Sequence, residues 1–413
     1  MRLSPAARNA ILLSGGLVCL SGMIQLAVAL GTVTLVAVTG VEGILGLGPA
    51  VFLVAGGLAV GPAGRISDRV GRMPVIRAGF LFGILGPVLT ALGCWSTSGE
   101  LVFLGLGCCG AAQGIVLLSR AAAAEMFPPE HRARGISLVL FGAVSGAVFG
   151  PLIFGPIFAG SELTPDDLAW PWLGSSLFAL AGLLITFAVR PDPKELSRQF
   201  VTEAEETAAA APLAEIVRRP GVLTAMLAAV VSFAVMAGVM NLAGYVAVGH
   251  GHEHGDVFTV ISAHIVGMFG LVLAVGPAVD VIGRTRAMAL GLGLMAVSNA
   301  GLLWLDSIAG MSLSLFGLGL GWNLAYVAAT AQLVSLASPV ERGGLVGLTD
   351  LTASLTAAFL ALGGGVVYTA SGSVPLAAIA ALLAALPAFW IVLLPSAVGG
   401  RIVRRLSVMK TSG

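Results

Sequence analysis

The sequence predicts an all-α integral membrane protein, with twelve transmembrane helices in two six-helix bundles related by pseudo-two-fold symmetry. Three observations predict this fold: an apolar composition, twelve segments long enough to cross a bilayer, and basic residues confined to alternate loops. Of the 413 residues, 57% are hydrophobic and 10% are charged, and the mean hydropathy is +1.01. A soluble domain carries about 25% charged residues, so most of this protein's surface must face lipid.

Twelve apolar segments follow when the chain is divided at its polar residues, glycines and prolines. A membrane-spanning helix needs about 20 mostly apolar residues. The segments cover residues 11–38, 44–63, 74–94, 101–122, 135–159, 172–189, 221–247, 257–279, 287–305, 310–337, 345–369 and 374–395. The charged stretch 190–220 cannot span. We therefore expect an N-terminal bundle (1–190), a cytoplasmic linker (191–220) and a C-terminal bundle with a short cytoplasmic tail (221–413).

The charges of the loops predict the orientation of the chain. All 21 lysines and arginines lie near the termini, in the linker or in alternate loops. The other loops carry only acidic charges, namely Glu42, Glu100, Glu162, Asp166, Asp167, Glu253, Asp256 and Asp306. Because cytoplasmic loops carry an excess of Lys and Arg, both termini are expected in the cytoplasm.

A short motif recurs between the second and third segments and between the eighth and ninth. The first copy contains Gly64, Asp68, Arg69, Gly71 and Arg72, and the second contains Gly276, Asp280, Gly283 and Arg284. The two copies start 212 positions apart, and a weaker repeat relates Arg132 to Arg342, 210 positions later. A repeat of half the chain, with the same helix count in each half, is typical of a duplicated transporter.

The first copy of the motif resembles the loop signature of the major facilitator superfamily, and the resemblance covers the whole chain. It implies the major facilitator fold and transport by alternating access. It also implies that Asp68, Arg69, Arg72 and their counterparts close the cytoplasmic side in one state. An alternative is that the arginines only anchor the loops to the cytoplasmic face.

A group of sulfur and imidazole side chains indicates a metal path. The four in the spans are Met236 and Met240 on the seventh segment, and His264 and Met268 on the eighth. The two residues of each pair lie one helical turn apart on one face of their helix. The pairs match in depth, so Met240 is expected level with His264 and Met236 level with Met268, about 6 Å deeper. The outer loop between them carries His250, His252 and His254. Thioether and imidazole groups suit Cu(I) and disfavour Mg²⁺ or Na⁺. Methionine pairs also serve as plain packing, and a buried histidine also carries protons or hydrogen bonds.

The MxxxM motif followed by HxxxM also resembles the motif pair of the CcoA-like bacterial copper importers, at all four positions. This resemblance implies copper import across the bacterial inner membrane for cytochrome oxidase assembly, with copper as cargo and no cofactor. Members of the wider group resemble riboflavin importers. Import of riboflavin or another small organic solute therefore stays an alternative, and drug export is a further one.

Several other polar residues lie within the predicted spans. Asp350 is a candidate for proton coupling, and its alternative role is an ion pair with Arg342 or Arg120 at the cytoplasmic mouth. The family resemblance implies that Gln113, Asn241, Asn323 and Tyr326 line a central cavity. Trp322 and Tyr326 lie one turn apart and suit the stacking of a flavin ring, which a copper ion would not need.

The sequence argues against other classes of protein. It contains no nucleotide-binding loop, no nucleophile motif with catalytic partners and no soluble domain, so neither an enzyme nor a primary pump is expected. A sensor would not need a duplicated gating motif. We expect a monomer in the lipid bilayer with no nucleic-acid partner.

Overall fold

The polar residues and prolines that interrupt the apolar segments mark where the helices begin and end. The computed structural model describes residues 4–40, 47–145, 164–200, 211–251 and 254–393. Helix α1 (Pro5–Thr39) begins after Ser4, whose hydroxyl accepts a hydrogen bond from Ala7 N at 3.2 Å, and it ends at Gly40, where φ is +69°. Serine and proline at the start of a helix and glycine after its end are typical caps.

Among the residues that the structure describes, the N-terminal half continues with six more helices. These are α2 (Leu47–Val70), α3 (Arg72–Trp95), α4 (Gly99–Leu117), α5 (Ser119–Glu125), α6 (Arg132–Leu140) and α7 (Pro165–Thr186). Helices α4 and α5 form one span across a break at Leu118. Short 3₁₀ turns at Pro129–His131 and Phe141–Ala143 flank α6.

The described part of the linker contains two short α-helices, and the C-terminal half follows the linker. The linker helices are α8 (Pro193–Ser197) and α9 (Leu213–Arg218). The others are α10 (Val222–Gly249), α11 (His254–Phe269), α12 (Val272–Ile282), α13 (Arg284–Gly301), α14 (Ile308–Leu336), α15 (Arg342–Ser371) and α16 (Ser373–Leu393). No strand occurs among the residues that the structure describes.

The spans agree with an all-helical, multi-pass membrane protein. Among the described residues, nine helices are long and apolar enough to cross a membrane, and one bent pair makes a tenth. The ninth predicted segment corresponds to the continuous helix α13, while 146–159 of the fifth lies outside the described residues. The eighth segment was predicted as one helix. It is instead bent by 43° between Phe269 and Val272, where Gly270 interrupts the run of better helix formers.

Among the described residues, the two halves meet chiefly along two helix pairs, α2 with α15 and α12 with α6. Otherwise helices pack chiefly within their own half, as α3 does on α4 and α7, and α13 on α14 and α16. A Cβ atom on Gly64 would lie 2.0 Å from the Gly343 carbonyl oxygen, and one on Gly276 would lie 2.5 Å from Ser137 Oγ. Both motif glycines therefore permit close contact with the opposite half. The boundaries at residues 190 and 221 stay predictions.

Candidate functional site

The first copy of the repeated motif forms a contact between the halves that we name the N-latch: Asp68, Arg72 and Glu125 with Pro339, Gly343 and Gly344. Asp68 accepts hydrogen bonds from Gly343 N at 2.8 Å and Gly344 N at 2.6 Å, in the first turn of α15. A carboxylate is favoured there by the unpaired N–H groups and the helix dipole. Arg72 pairs with Asp68 at 2.6 Å and Glu125 at 2.7 Å. It also donates to the Pro339 carbonyl at 3.2 Å, which ties its cation to the other half.

The second copy forms the C-latch: Asp280 and Arg284 with Pro129, Ala133, Arg134 and Ser335. Asp280 accepts from Ala133 N at 3.3 Å and Arg134 N at 3.2 Å, in the first turn of α6. Arg284 donates to the Pro129 carbonyl and to Ser335 Oγ. Each aspartate therefore caps a helix of the opposite half, and each arginine reaches a proline carbonyl there. The duplicated motif joins the two halves twice, at one end of the molecule.

The backbone conformation explains why a glycine follows each motif aspartate. Gly71 has φ +101° and Gly283 has φ +92°, which side chains with a Cβ rarely adopt. Each ends one helix and starts the next one, which carries the latch arginine. Arg69 is exposed and makes no ion pair or hydrogen bond among the described residues; its role in gating stays a prediction.

A buried ion pair lies between the halves, further into the spans. Arg120 of α5 contacts Asp350 of α15 at 2.6 Å, and Tyr326 Oη donates to the same carboxylate oxygen at 3.1 Å. The Arg120 guanidinium lies 4.5 Å from the centre of the Tyr326 ring, and its Nε lies 3.4 Å from Thr330 Oγ1. Of the two partners considered for Asp350, the structure selects Arg120, while Arg342 donates to the Val334 carbonyl.

Aromatic rings extend from this ion pair along α14. We name Trp322, Tyr326, Phe269 and Phe233 the aromatic wall. Trp322 and Tyr326 stack with ring centres 5.2 Å apart and planes at 22°, and Phe269 meets Trp322 edge-on at 5.7 Å. Phe233 lies 6.1 Å from Tyr326. Two buried polar atoms of this region, Trp322 Nε1 and Asp350 Oδ2, have no hydrogen-bond partner among the described residues.

The predicted metal residues lie in the C-terminal half, on α10 and α11. His264 is fully buried, and its Nδ1 lies 2.8 Å from the Leu315 carbonyl of α14. A carbonyl only accepts, so Nδ1 carries the proton and Nε2 presents its lone pair. That Nε2 has no partner in the described part of the chain. Met236 and Met268 are buried and Met240 is half-buried.

The ring of His264 is turned toward α14, and a reciprocal bond joins the same two helices. Asn323 of α14 donates from Nδ2 to the Met268 carbonyl, and its Oδ1 is buried without a partner among the described residues. No three His, Cys, Asp or Glu side chains come together there as a metal site in the described residues. A copper ion would therefore depend on one imidazole and the thioethers.

The remaining predicted residues are scattered. His250 is exposed, with Nε2 3.2 Å from Ser373 Oγ. His252 lies outside the described residues, as do the side chains of His254 and Asn241. Gln113 is half-buried on α4.

The linker contacts both halves, which the sequence interpretation did not anticipate. Asp192 accepts from Arg72 N at 3.1 Å and Met73 N at 2.9 Å, at the start of α3, and Lys194 donates to the Asp68 carbonyl at 2.5 Å. An Asp-Pro pair after a span is a helix-cap signal, but its role for a distant helix is invisible in the sequence.

Glu341, just before α15, holds the other end of the linker. It receives two hydrogen bonds from Arg219, at 2.6 and 2.9 Å, one from Ala211 N at 3.1 Å and one from Ser338 N at 2.9 Å. Burial raises the pKa of Glu341, but these hydrogen bonds outweigh it and lower the pKa to about 2.

Known proteins share this architecture. The model of the Major Facilitator Superfamily matches residues 11–321. The chain belongs to this superfamily. It is 30% identical to the uncharacterized MFS-type transporter YdeG of Bacillus subtilis, over 84% of this chain and 82% of that one. It is 30% identical to the riboflavin transporter RfnT of Brucella anthropi, over 76% and 78%. The human organic anion transporter MFSD10 superposes with a TM-score of 0.74 at 18% identity, covering 94% of this chain and 100% of that one.

Proposed function

We propose that the protein is a secondary transporter that imports a small planar aromatic solute of the riboflavin class by alternating access. The observation that carries the proposal is the aromatic wall beside the Arg120–Asp350 ion pair, between the two halves. Trp322 and Tyr326 are flat, stacked rings that are 4% and 2% exposed in this conformation, and the ion pair beside them has charged hydrogen-bonding groups. Ring stacking favours planar aromatic ligands. The similarity to a riboflavin transporter supports the same class of cargo.

The two latches supply the alternating access in this proposal. Both lie at the end that carries the basic loops, which we place in the cytoplasm of a bacterial inner membrane. With both latches formed, this conformation is closed to the cytoplasm. Import then requires a solute to bind between the halves and the latch contacts to break, because a ligand shifts an equilibrium only by its differential affinity for the two states.

Copper import is the second candidate, and His264 favours it. A metal-ligating histidine usually donates its other ring N–H to a carbonyl or carboxylate, which fixes the ligating nitrogen. His264 has that arrangement, with Nδ1 at the Leu315 carbonyl and Nε2 unbonded among the described residues. Buried Met268 lies one turn away on the same helix. In this proposal copper is the cargo and would pass along Met236, Met240, His264 and Met268.

Uptake of labelled riboflavin and labelled copper by cells that express single variants separates the two candidates. Trp322→Leu and Tyr326→Leu remove the stacking faces and should raise the riboflavin KM by about tenfold or more. His264→Asn keeps a donor near Leu315 but removes Nε2, and Met268→Leu keeps the volume. Both should leave riboflavin uptake unchanged. Trp304→Leu, which alters an indole that is 77% exposed, is the matched control.

The opposite pattern would replace the first candidate. If copper enters the cells, if His264→Asn and Met268→Leu abolish that uptake at normal expression, and if riboflavin does not enter, the protein is a copper importer. If riboflavin enters but Trp322→Leu and Trp304→Leu have the same KM as the wild type, the aromatic wall is only packing.

A further inference from the structure

The eighth span is broken, whereas the equivalent span of the N-terminal half is not. Helices α11 and α12 meet at an angle of 43°, with Gly270 at the break. The motif spacing of 212 places Leu58 opposite Gly270, and α2 runs without interruption through that position. Both spans contain a proline, Pro62 in α2 and Pro277 in α12, so a proline alone does not account for the break. The difference lies at Gly270, because glycine is a poorer helix former than leucine.

A side chain of α14 takes the place of the backbone donor that the break removes. In a continuous helix the Met268 carbonyl would accept a hydrogen bond from Val272 N, four residues later. Here α11 ends at Phe269, and the carbonyl accepts from Asn323 Nδ2. Unpaired backbone groups are costly in a membrane, and a broken span is tolerated where a neighbouring helix supplies the missing partner. Asn323 is fully buried, so water does not compete for this bond.

The aromatic wall contacts the same break. Phe269, the last residue of α11, meets the Trp322 ring edge-on at 5.7 Å, and Asn323 directly follows Trp322 in α14. Two consecutive residues of α14 therefore contact the last two residues of α11. These contacts connect the region of the aromatic wall to the break in the span.

Helix α12 carries the C-latch aspartate near its far end. Asp280 lies eight residues after Val272, which is about 12 Å along the helix. A change of about 10° in the bend would therefore move this position by about 2 Å. The hydrogen bonds of Asp280 to Ala133 N and Arg134 N are 3.3 and 3.2 Å long, at the long end of the usual range. A modest straightening of the span is enough to break them.

We propose that the break at Gly270 is the hinge by which the C-latch opens, and that Asn323 is the positioning residue that keeps this hinge bent in the closed state. When the span straightens, the Met268 carbonyl exchanges the Asn323 amide for Val272 N, so this carbonyl is never left unpaired in the membrane. The N-latch lacks this hinge, since α2 is continuous. The proposal rests on the alternating access proposed above, but not on the identity of the cargo.

Two variants should straighten the span, each for a different reason. Asn323→Leu keeps most of the side-chain volume but removes the donor to the Met268 carbonyl. Gly270→Ala adds a Cβ that would lie 2.7 Å from the Val266 carbonyl oxygen in the bent form, whereas a continuous helix favours alanine over glycine. Each variant should raise the fraction of molecules with an open C-latch by about fivefold.

Distances between pairs of nitroxide labels on the purified full-length protein report the two latches separately. One pair, at His131 and Val281, lies beside the contacts of the C-latch, and the other, at Val70 and Val340, lies beside those of the N-latch. The labels are attached in a Cys108→Ser background, because the other three cysteines are buried. Asn323→Leu and Gly270→Ala should both add a longer distance across the C-latch and leave the distance across the N-latch unchanged.

Matched controls separate the hinge from a general loss of stability. Asn299→Leu removes another fully buried asparagine of the C-terminal half, whose Nδ2 donates to the Met295 carbonyl of its own helix at 2.8 Å. Gly293→Ala adds a methyl group to the unbroken helix α13, where a Cβ meets nothing. Neither control should change the distance across either latch.

The distance across the C-latch decides the proposal. If neither Asn323→Leu nor Gly270→Ala lengthens it, or if both lengthen the distance across the N-latch equally, the proposal is wrong. Gly270→Ala keeps the test valid if Asn323→Leu does not fold, because its methyl group lies at an exposed position. The distances are measured without a solute, so a failure of riboflavin or copper uptake would overturn the proposed cargo and leave this result standing.

Discussion

The N-latch and the C-latch occupy equivalent positions in the two halves, yet they share only part of their chemistry. In both, an aspartate caps a helix of the opposite half, an arginine reaches a proline carbonyl, and glycines allow the close approach. They differ in one side-chain partner of the arginine: the Glu125 carboxylate accepts from Arg72, whereas the neutral Ser335 hydroxyl accepts from Arg284. The backbone contacts of the repeat have been kept, and the charges have diverged.

A second position shows the same divergence. Arg120 and Thr330 lie 210 positions apart, as Glu125 and Ser335 do, and they face each other at 3.4 Å across the boundary of the two halves. In both pairs the N-terminal half carries the charge and the C-terminal half carries a hydroxyl. At these two pairs of positions the charged group comes from the N-terminal half, and we expect the C-latch to open at a lower cost in free energy.

The largest expected effect comes from Arg72. Arg72→Gln leaves two buried carboxylates, Asp68 and Glu125, without their cation, and removing one partner of a buried ion pair costs about 3–5 kcal/mol. We expect a large fall in Tm and loss of uptake. Arg284→Gln should cost less in both measurements, because its hydrogen bonds go to a hydroxyl and a carbonyl. Glu125→Gln added to Arg72→Gln should restore part of the Tm. Equal losses for Arg72→Gln and Arg284→Gln would contradict the asymmetry.

Arg120 comes next. Arg120→Gln leaves Asp350 with the Tyr326 hydroxyl alone, and we expect a loss of stability of about 3 kcal/mol. The double variant Arg120→Gln with Asp350→Asn removes both charges and should be closer to the wild type in Tm than either single variant. Thr330→Val at the related position is the matched control, with a cost of about 1 kcal/mol. Additive losses in the double variant would show that the two side chains do not act as a pair.

Substitutions at the motif glycines test how closely the backbones of the two halves approach each other in each latch. A Cβ at position 64 would lie 2.0 Å from the Gly343 carbonyl oxygen, while one at position 276 would lie 2.5 Å from the Ser137 hydroxyl and 2.9 Å from the Ala133 carbonyl oxygen, so the overlap with backbone is deeper at position 64. Gly64→Ala should therefore cost about 3 kcal/mol and Gly276→Ala about 1–2 kcal/mol. The Tm values of the two variants measure this difference, and the Gly293→Ala variant, where a Cβ meets nothing, is the control. A larger loss for Gly276→Ala would reverse the order of the two latches.

The membrane class, the family and both latch positions could be predicted from the sequence, because they depend on local composition and on a spacing repeated along the chain. The spacing of Gly64, Asp68 and Arg72 recurs at Gly276, Asp280 and Arg284. The partners of these residues could not be predicted, since they come from other elements, 51 residues away for Ser335, 53 for Glu125 and 275 for Gly343. Neither Glu125 nor Asp192 lies in a repeated pattern, so the second carboxylate that pairs with Arg72 and the residue that caps α3 were missed.

The direction of a side chain within a span could not be predicted from its position along the span. His264 was expected to pair with a methionine of the preceding span, yet its ring bonds to Leu315 of α14. The close approach of α11 and α14 explains this direction: a Cβ on Gly319 would lie 2.5 Å from the His264 carbonyl oxygen. Helix rotation is set by such packing between small residues, which counting along one segment does not reveal. Whether copper binds at His264 stays a prediction.

The smallest effect is expected at Glu341, where the linker contacts the residues just before α15. Because its pKa is lowered to about 2, Glu341 stabilises the folded state fully above its unfolded value of about 4.3, and this contribution is lost as the pH falls toward 2. Arg219 is one-third exposed, so Arg219→Gln should cost only about 0.5–1 kcal/mol at pH 7. Tm measured from pH 6 to pH 3 should fall less steeply in Glu341→Gln than in the wild type, with Glu215→Gln, an exposed acid of α9, as the control. Parallel pH profiles for the wild type and Glu341→Gln would mean that the linker adds nothing to the closed end, and that its acidic anchor does not contribute to the difference between the two halves.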